Sequence, residues 1–168
     1  DFLLKPAMSE REAMQAVRVG MELVKECKEA GYTLLGTGEM GIGNTTTSAA
    51  MAAALLSVPP EIVAGRGAGL SDEGLVRKRQ VIAAALEKYQ LRETEPMRIL
   101  CSVGGLDIAG LCGVFLGGAK YHMPIVADGV ISAVAALTAE RLCPGTKEFI
   151  IPSHKGKEPA SELDRKST

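Results

Sequence analysis

The sequence predicts an α/β protein with a doubly wound, mostly parallel, Rossmann-like sheet and helices on both faces. Short apolar runs alternate along the chain with longer helical segments, which is the order that produces parallel sheets. Glycine-rich turns follow several of these runs, and 19 glycines stand beside an aromatic content of only 4%. Small residues of this kind let the backbone of an α/β fold approach a ligand closely.

The length and composition indicate one domain. With 168 residues, of which 46% are apolar, the chain is long enough to bury a core. It contains no long repeat and no linker that would divide it. We therefore predict a single α/β domain over residues 1–157 and a polar, mobile tail over 158–168.

Local signals predict each element in turn. Ser9 and Glu12 have the spacing of a capping box, which predicts a first helix that stops before Gly31. An alanine-rich helix ends at the paired prolines 59–60, and Ser71 caps the helix after it. The predicted helices cover about 10–30, 45–56, 72–89, 106–120 and 129–142, and the predicted strands cover about 32–35, 98–103, 124–127 and 149–152.

A polar residue or a glycine follows each predicted strand. These residues are Glu39, Gly104, Asp128 and Ser153. Because ligands of parallel α/β sheets bind beyond the carboxyl ends of the strands, we expect these four positions to converge on one edge. The sequence therefore predicts a ligand site there.

The charge balance and the cysteines exclude several classes of protein. A net charge of −1, from 19 Lys and Arg against 20 Asp and Glu, gives no chain-wide case for binding nucleic acid or an anionic membrane. The longest uncharged stretch, 40–60, is interrupted by polar residues and prolines, and no signal-peptide pattern precedes the first helix. Four cysteines without a CxxC pair indicate buried, reduced thiols in a cytoplasmic protein, and two histidines are too few to suggest a metal.

The segment 36–47 matches two phosphate-binding templates. The letters GTGEMG after a predicted strand spell GxGxxG, and Glu61 has the spacing of a ribose-binding acid, which is the pattern of an NAD-binding oxidoreductase. Residues 38–45 spell a P-loop in which Asn44 replaces the lysine. Both templates share amide N–H groups and a helix N-terminus directed at one phosphate. The purely structural alternative is that this segment is a tight glycine turn whose threonines cap the next helix, with no ligand bound.

Several single residues admit a functional and a structural interpretation. Within an expected buried loop, Glu39 could take a proton or stabilise a developing cation, or it could be solvated and idle. Lys78 belongs to a solvated basic face unless its helix folds back over the glycine loop. Asp128 could bind a ribose hydroxyl, although capping the next helix is the default, and the helix dipole alone could explain Asp107. Ser153 and His154 are not a nucleophile–base pair by adjacency.

Five ordered segments resemble the nicotinate-nucleotide:dimethylbenzimidazole phosphoribosyltransferase family. They are GEMGIGNTTTSAA (38–50), GRGAGLSDEGLVRKRQVI (65–82), VGGLDIAG (103–110), PIVADGVISAVAAL (124–137) and PSHKGKEP (152–159). The resemblance implies transfer of phosphoribose from nicotinate mononucleotide to dimethylbenzimidazole or a related base, which gives α-ribazole phosphate and nicotinate in cobalamin synthesis. It implies no cofactor and no metal, and a homodimer as the assembly.

The same resemblance assigns roles to residues of this chain. It implies that Glu39 is the carboxylate nearest the chemistry, that the Gly41 amide and Lys78 bind the phosphate, and that Asp107 and Asp128 lie near the ribose. The substrate-binding set that it implies is Met40, Gly41, Gly43, Asn44, Thr45, Gly67, Lys78, Gly104, Asp107 and Asp128.

The chain also departs from the family pattern. Relatives are longer, with an N-terminal segment that helps to form the benzimidazole pocket and a Gly-Glu-Gly-Thr-Gly motif that carries the general base. Gly156 stands where relatives usually have serine, and Thr47 where they often have proline. We expect a fragment or a diverged member that keeps the phosphate site and does not turn over by itself. The alternative is a non-catalytic nucleotide-binding module of the same fold.

Overall fold

The computed structural model describes residues 1–67 and 69–154 and has an α/β fold built on a three-stranded parallel sheet. The strands lie in the order β1-β2-β3. The helices are α1 (Glu10–Glu29), α2 (Thr45–Leu56), α3 (Pro60–Val63), α4 (Asp72–Tyr89), α5 (Pro96–Val103), α6 (Leu106–Tyr121) and α7 (Gly129–Leu142), a 3₁₀ turn covers Thr146–Phe149, and the strands are β1 (Leu35–Thr37), β2 (Ile125–Ala127) and β3 (Ile150–Pro152). The predicted tail over 158–168 and Gly156 lie outside the described residues.

Local signals predicted most helices correctly. The capping box before α1 is present, because the Ser9 hydroxyl accepts from the Glu12 amide at 3.3 Å and the Glu12 carboxylate accepts from the Ser9 amide at 2.8 Å. The Ser71 side chain accepts from the Gly74 amide at 3.1 Å and starts α4. The first strand begins later than predicted, since pairing of Leu35 with Ile125 sets its register.

The predicted strand over 98–103 is wrong, because this segment is helix α5. Pro96 occupies the first turn, where its missing N–H costs nothing. Ile99, Leu100 and Val103 are buried on one helical face. A short apolar run with buried positions does not distinguish a strand from a buried helix by periodicity. Gly104 therefore follows a helix, and the prediction that it follows a strand is wrong.

Glycines bring helices α1 and α6 into close contact. A Cβ at Gly113 would lie 2.0 Å from the Val17 carbonyl oxygen, and one at Gly20 would lie 2.1 Å from the Gly110 carbonyl oxygen. The two helix backbones are thus in direct contact, which any larger side chain would prevent. Small residues at these positions let α1 pack directly on α6.

The cysteines are free, and only one of them is buried. Burial raises the pKa of the Cys112 thiol to about 12. Burial also raises the pKa of Cys101, which is partly exposed. Cys27 and Cys101 are half-buried and Cys143, just after the end of α7, is exposed, so the expectation of buried thiols is confirmed only for Cys112. Among the described residues, no helix has the length and apolar character needed to cross a membrane.

Candidate functional site

The glycine loop between β1 and α2 lies at the carboxyl edge of the sheet. Gly41 and Gly43 both have φ of 79°, a left-handed conformation that favours glycine. The Glu39 carboxylate accepts a hydrogen bond from the Gly41 amide at 2.6 Å. The expectation that this loop is buried is wrong: Met40 is 83% exposed and Ile42 74%. The loop runs past the sheet edge, so its side chains extend away from the core.

Asn44 connects the glycine loop to a second helix. It stands at the N-cap of α2, but its side chain makes no cap hydrogen bond. Instead its Nδ2 donates to Asp107 Oδ2 at 2.7 Å, which joins the N-termini of α2 and α6. Asn44 Oδ1 is buried without a hydrogen-bond partner among the described residues. The missing lysine of the P-loop template is therefore replaced by a neutral group that binds a carboxylate.

Lys78 is a buried residue of α4 whose side chain reaches the N-terminus of α2. The residue is 5% exposed, and its Nζ donates to Thr45 Oγ1 at 3.2 Å and to the Gly65 carbonyl at 3.0 Å. The solvated-face interpretation is therefore wrong for Lys78, because α4 folds back against α2 and brings this cation to the glycine loop. Gly67, with φ of 55°, belongs to the same cluster, since a Cβ there would lie 2.9 Å from Thr45 Oγ1.

Asp128 lies at the end of β2 and does not act as a helix cap. It occupies the N-cap position of α7 without a side-chain cap hydrogen bond, so the capping interpretation is wrong. Its Oδ1 accepts from Ser153 Oγ at 2.8 Å and lies 3.1 Å from His154 Nδ1. Its Oδ2 lies 3.9 Å from the position that a Cβ of Gly38 would take. Asp128 therefore sits between the end of β3 and the start of the glycine loop.

Ser153 and His154 do not form a nucleophile and its base. Ser153 Oγ lies 3.0 Å from His154 Nδ1, the same nitrogen that approaches Asp128. A catalytic triad needs the carboxylate at one ring nitrogen and the hydroxyl at the other. Here hydroxyl, ring nitrogen and carboxylate oxygen form a triangle, which supports the interpretation made from the sequence.

Comparison with known proteins identifies the family. A family model described as a phosphoribosyltransferase matches residues 1–166. The chain belongs to this phosphoribosyltransferase family. The predicted resemblance is thereby confirmed.

The curated relatives of this phosphoribosyltransferase chain carry a more specific name. The nicotinate-nucleotide–dimethylbenzimidazole phosphoribosyltransferase of Acetivibrio thermocellus is 49% identical over 157 residues, which cover 94% of this chain and 45% of that protein. The enzyme of the same name from Clostridium acetobutylicum is 49% identical over 156 residues, which cover 93% of this chain and 44% of that protein. The chain thus spans less than half the length of these relatives.

Solved structures show the same fold. CobT from Thermus thermophilus superposes with a TM-score of 0.93 at 38% identity, over 99% of this chain and 50% of that one. A second structure from the same organism, described as a nicotinate-nucleotide–dimethylbenzimidazole phosphoribosyltransferase, has a TM-score of 0.89 at 37% identity and covers 99% of this chain and 48% of that one. The α/β class predicted from the sequence is confirmed.

The phosphoribosyltransferase chain brings most of its predicted site residues into one edge cluster. Glu39 and Gly41 form its loop, Asn44 and Asp107 join two helices, and Thr45, Gly67 and Lys78 form its cationic corner, with Asp128 at the next strand. Gly104 lies apart from these contacts: it is buried at the end of α5, where a Cβ would lie 2.3 Å from the Leu100 carbonyl oxygen. Met40 and Gly43 both stay in the glycine loop, on the exposed side of the cluster.

The edge combines groups that attract an anion with three carboxylates, those of Glu39, Asp107 and Asp128. Helices α2, α6 and α7 all begin at this edge, and the N-terminus of each contributes partial positive charge and backbone N–H groups. The buried Lys78 ammonium adds a full charge beside them. Sequence reasoning did not assign Ser153 and His154 to the site, although Ser153 was expected at the edge. Among the described residues, no group of three His, Cys, Asp or Glu side chains could hold a metal ion.

Proposed function

We propose that this chain binds nicotinate mononucleotide and contributes the phosphoribosyl site of a nicotinate-nucleotide:dimethylbenzimidazole phosphoribosyltransferase. One observation carries the proposal: the buried Lys78 ammonium lies at the N-terminus of α2, directly beside the glycine loop. A cation, helical N–H groups and loop amides together form a site for one phosphate.

The phosphate and the ribose have separate binding groups in this proposal. The Gly41 amide and Lys78 bind the phosphate, with Met40, Gly43, Asn44, Thr45 and Gly67 around it. Asp107 and Asp128 carry carboxylates that accept hydrogen bonds from ribose hydroxyls. Gly104 supports the loop before α6 that carries Asp107.

The reaction follows from the charges of the two bases. The bond between the anomeric carbon and the pyridinium nitrogen breaks, and its electron pair neutralises the nicotinate nitrogen, so the leaving group needs no acid. The unprotonated ring nitrogen of benzimidazole forms the new bond on the opposite face, and the other ring nitrogen then gives its proton to a general base, a role that the resemblance assigns to the Gly-Glu-Gly-Thr-Gly motif of relatives. Glu39 is the carboxylate of this chain that we place near the reacting centre, where its charge would stabilise the positive sugar. We propose no metal and no cofactor.

We infer a cytoplasmic homodimer as the assembly, by analogy with the family. The 168 residues match less than half of their curated relatives, so we expect this chain by itself to bind the nucleotide without turning it over. A non-catalytic nucleotide-binding module would also bind nicotinate mononucleotide. The two hypotheses predict different results only when the chain is fused to the remaining segments of a relative, because only an enzyme would then transfer phosphoribose.

The NAD-binding alternative has less support. A dinucleotide-binding motif requires a strand soon after the first helix. Here α2 is followed by helices α3 to α6, and the next strand of the described sheet is β2. Glu61 lies exposed in the short helix α3 rather than after a strand.

Calorimetric titration with nicotinate mononucleotide, and with NAD as the comparison, tests the proposal. We expect saturable binding that prefers the mononucleotide. Fusion to the segments of a relative that lie outside the matched region should then produce nicotinate release in the presence of dimethylbenzimidazole, measured by chromatography. Binding of NAD in preference to the mononucleotide would refute the proposal, and mononucleotide binding without transfer by the fusion would favour the non-catalytic module.

A further inference from the structure

We propose that Ser153 and His154 are positioning residues for Asp128: they hold its Oδ1, so that its Oδ2 faces a ribose hydroxyl of the bound nucleotide above Gly38. The inference rests on the proposed nucleotide site and adds two residues to it. Neither residue belongs to the substrate-binding set that the family resemblance implies, although the sequence placed Ser153 at this edge.

The sheet register brings the participants together. Thr37, Ala127 and Pro152 are aligned across the three strands. The next residue of each strand is Gly38, Asp128 or Ser153, and neighbouring strands lie about 4.8 Å apart. The Asp128 amide donates to the Thr37 carbonyl at 3.1 Å, and the Ser153 amide donates to the Ala127 carbonyl at 3.1 Å. The backbone therefore fixes this row before any side chain contributes.

The two carboxylate oxygens of Asp128 have different surroundings. Ser153 Oγ at 2.8 Å and His154 Nδ1 at 3.1 Å both approach Oδ1. Oδ2 is on the side of Gly38, where the missing Cβ leaves room: a Cβ would lie 3.9 Å away. A carboxylate at a helix N-cap normally bonds the helix amides, but Asp128 does not, so its orientation comes from Ser153 and His154.

This arrangement has a clear advantage for binding. The Asp128 and His154 side chains are 54% and 61% exposed, so an unrestrained carboxylate there would sample several rotamers. A carboxylate that is already held loses less conformational entropy when a ligand hydroxyl bonds to it. The same contact favours the tautomer of His154 that carries its proton on Nδ1.

The test measures affinity of the 168-residue chain by calorimetry for two probes, nicotinate mononucleotide and inorganic phosphate. We expect Ser153→Ala and His154→Gln each to weaken mononucleotide binding by about threefold to tenfold, and to leave phosphate binding unchanged. When Asp128→Asn is already present, neither Ser153→Ala nor His154→Gln should weaken mononucleotide binding further. His122→Asn is the matched control, because the other histidine of the chain packs edge-on against Phe149 and its left-handed backbone tolerates asparagine.

Imidazole ¹⁵N spectra of the unliganded protein supply a second readout. We expect the Nδ1–H tautomer of His154, and a change of its signals in Asp128→Asn that His122 does not share. If the wild type binds no mononucleotide but His154 responds to Asp128→Asn, the proposed function fails and the holding of Asp128 stands. If the wild type binds and Ser153→Ala and His154→Gln behave like His122→Asn, the positioning role is refuted and the proposed function stands.

Discussion

The Glu39 carboxylate accepts a hydrogen bond from the Gly41 amide at 2.6 Å. It therefore occupies the same amide that we assign to the phosphate. Glu39 and a phosphate therefore compete for one donor. We predict that Glu39→Ala raises the affinity for inorganic phosphate about fivefold, which corresponds to about 1 kcal/mol for an exposed interaction. The shift of the Gly41 amide resonance during a phosphate titration measures it. Glu61→Ala removes an exposed carboxylate elsewhere and should have no effect; equal affinities of wild type and Glu39→Ala would contradict the assignment.

Gly41→Val should abolish binding of nicotinate mononucleotide. The residue has φ of 79°, and a side chain there would point toward Thr45, whose Cγ2 lies 3.6 Å from the position of a Cβ. Strain alone could weaken the fold, so Gly31→Val is the control: it has φ of 90° at the end of α1 and nothing within 4 Å. We expect similar thermal shifts for both variants and loss of binding only for Gly41→Val, measured by calorimetry. Unchanged binding would place the phosphate elsewhere.

Lys78→Met should weaken mononucleotide binding by about 1.5–3 kcal/mol, the usual contribution of a hydrogen bond to a charged group. Methionine keeps the buried stem and removes the ammonium that reaches Thr45 and Gly65. Arg77→Met removes an exposed cation from the preceding position of the same helix and serves as the control. Calorimetry should separate the two; equal losses would mean that Lys78 acts only through general charge.

Gly113→Ala and Gly110→Ala should have opposite effects on stability, although both lie in α6. A methyl group at Gly113 would meet the Val17 carbonyl oxygen at 2.0 Å and force α1 away, which costs about 3 kcal/mol. At Gly110 a methyl group has nothing within 4 Å, so the better helix propensity of alanine should stabilise by about 0.5–1 kcal/mol. Urea unfolding measures both changes. Equal stability of the two variants would disprove the close α1–α6 contact.

Cys112 should make stability depend on pH in alkaline solution. Its pKa is raised to about 12 by burial, so between about pH 9 and 12 the thiol ionises in the unfolded chain but stays protonated in the native one. The unfolded state then holds fewer protons, and the free energy of unfolding falls by about 1.4 kcal/mol per pH unit in this window. Urea unfolding at about pH 7, 9 and 10.5 should show this loss relative to Cys112→Ala.

The helices and the site were predictable from sequence to different degrees. The bounds of α2 and α4 agree with the prediction, because prolines and a serine cap mark their ends within the local sequence. The α5 segment was predicted incorrectly, since the periodicity of a short buried apolar run does not separate helix from strand, although Pro96 in its first turn is a local signal for a helix start. The start of β1 depends on its partner β2 and was displaced for that reason.

Short-range patterns were sufficient for the capping box at Ser9 and the position of the glycine loop, because caps and turns involve residues a few positions apart. The chemistry of the site depended on contacts across the fold. Thr45 and Lys78 are 33 positions apart, Asn44 and Asp107 are 63, and Asp128 and Ser153 are 25. Whether Lys78 is buried or solvated, and whether Asp128 caps a helix or accepts from Ser153, was decided by the packing of α4 and the register of three strands, which no local pattern encodes.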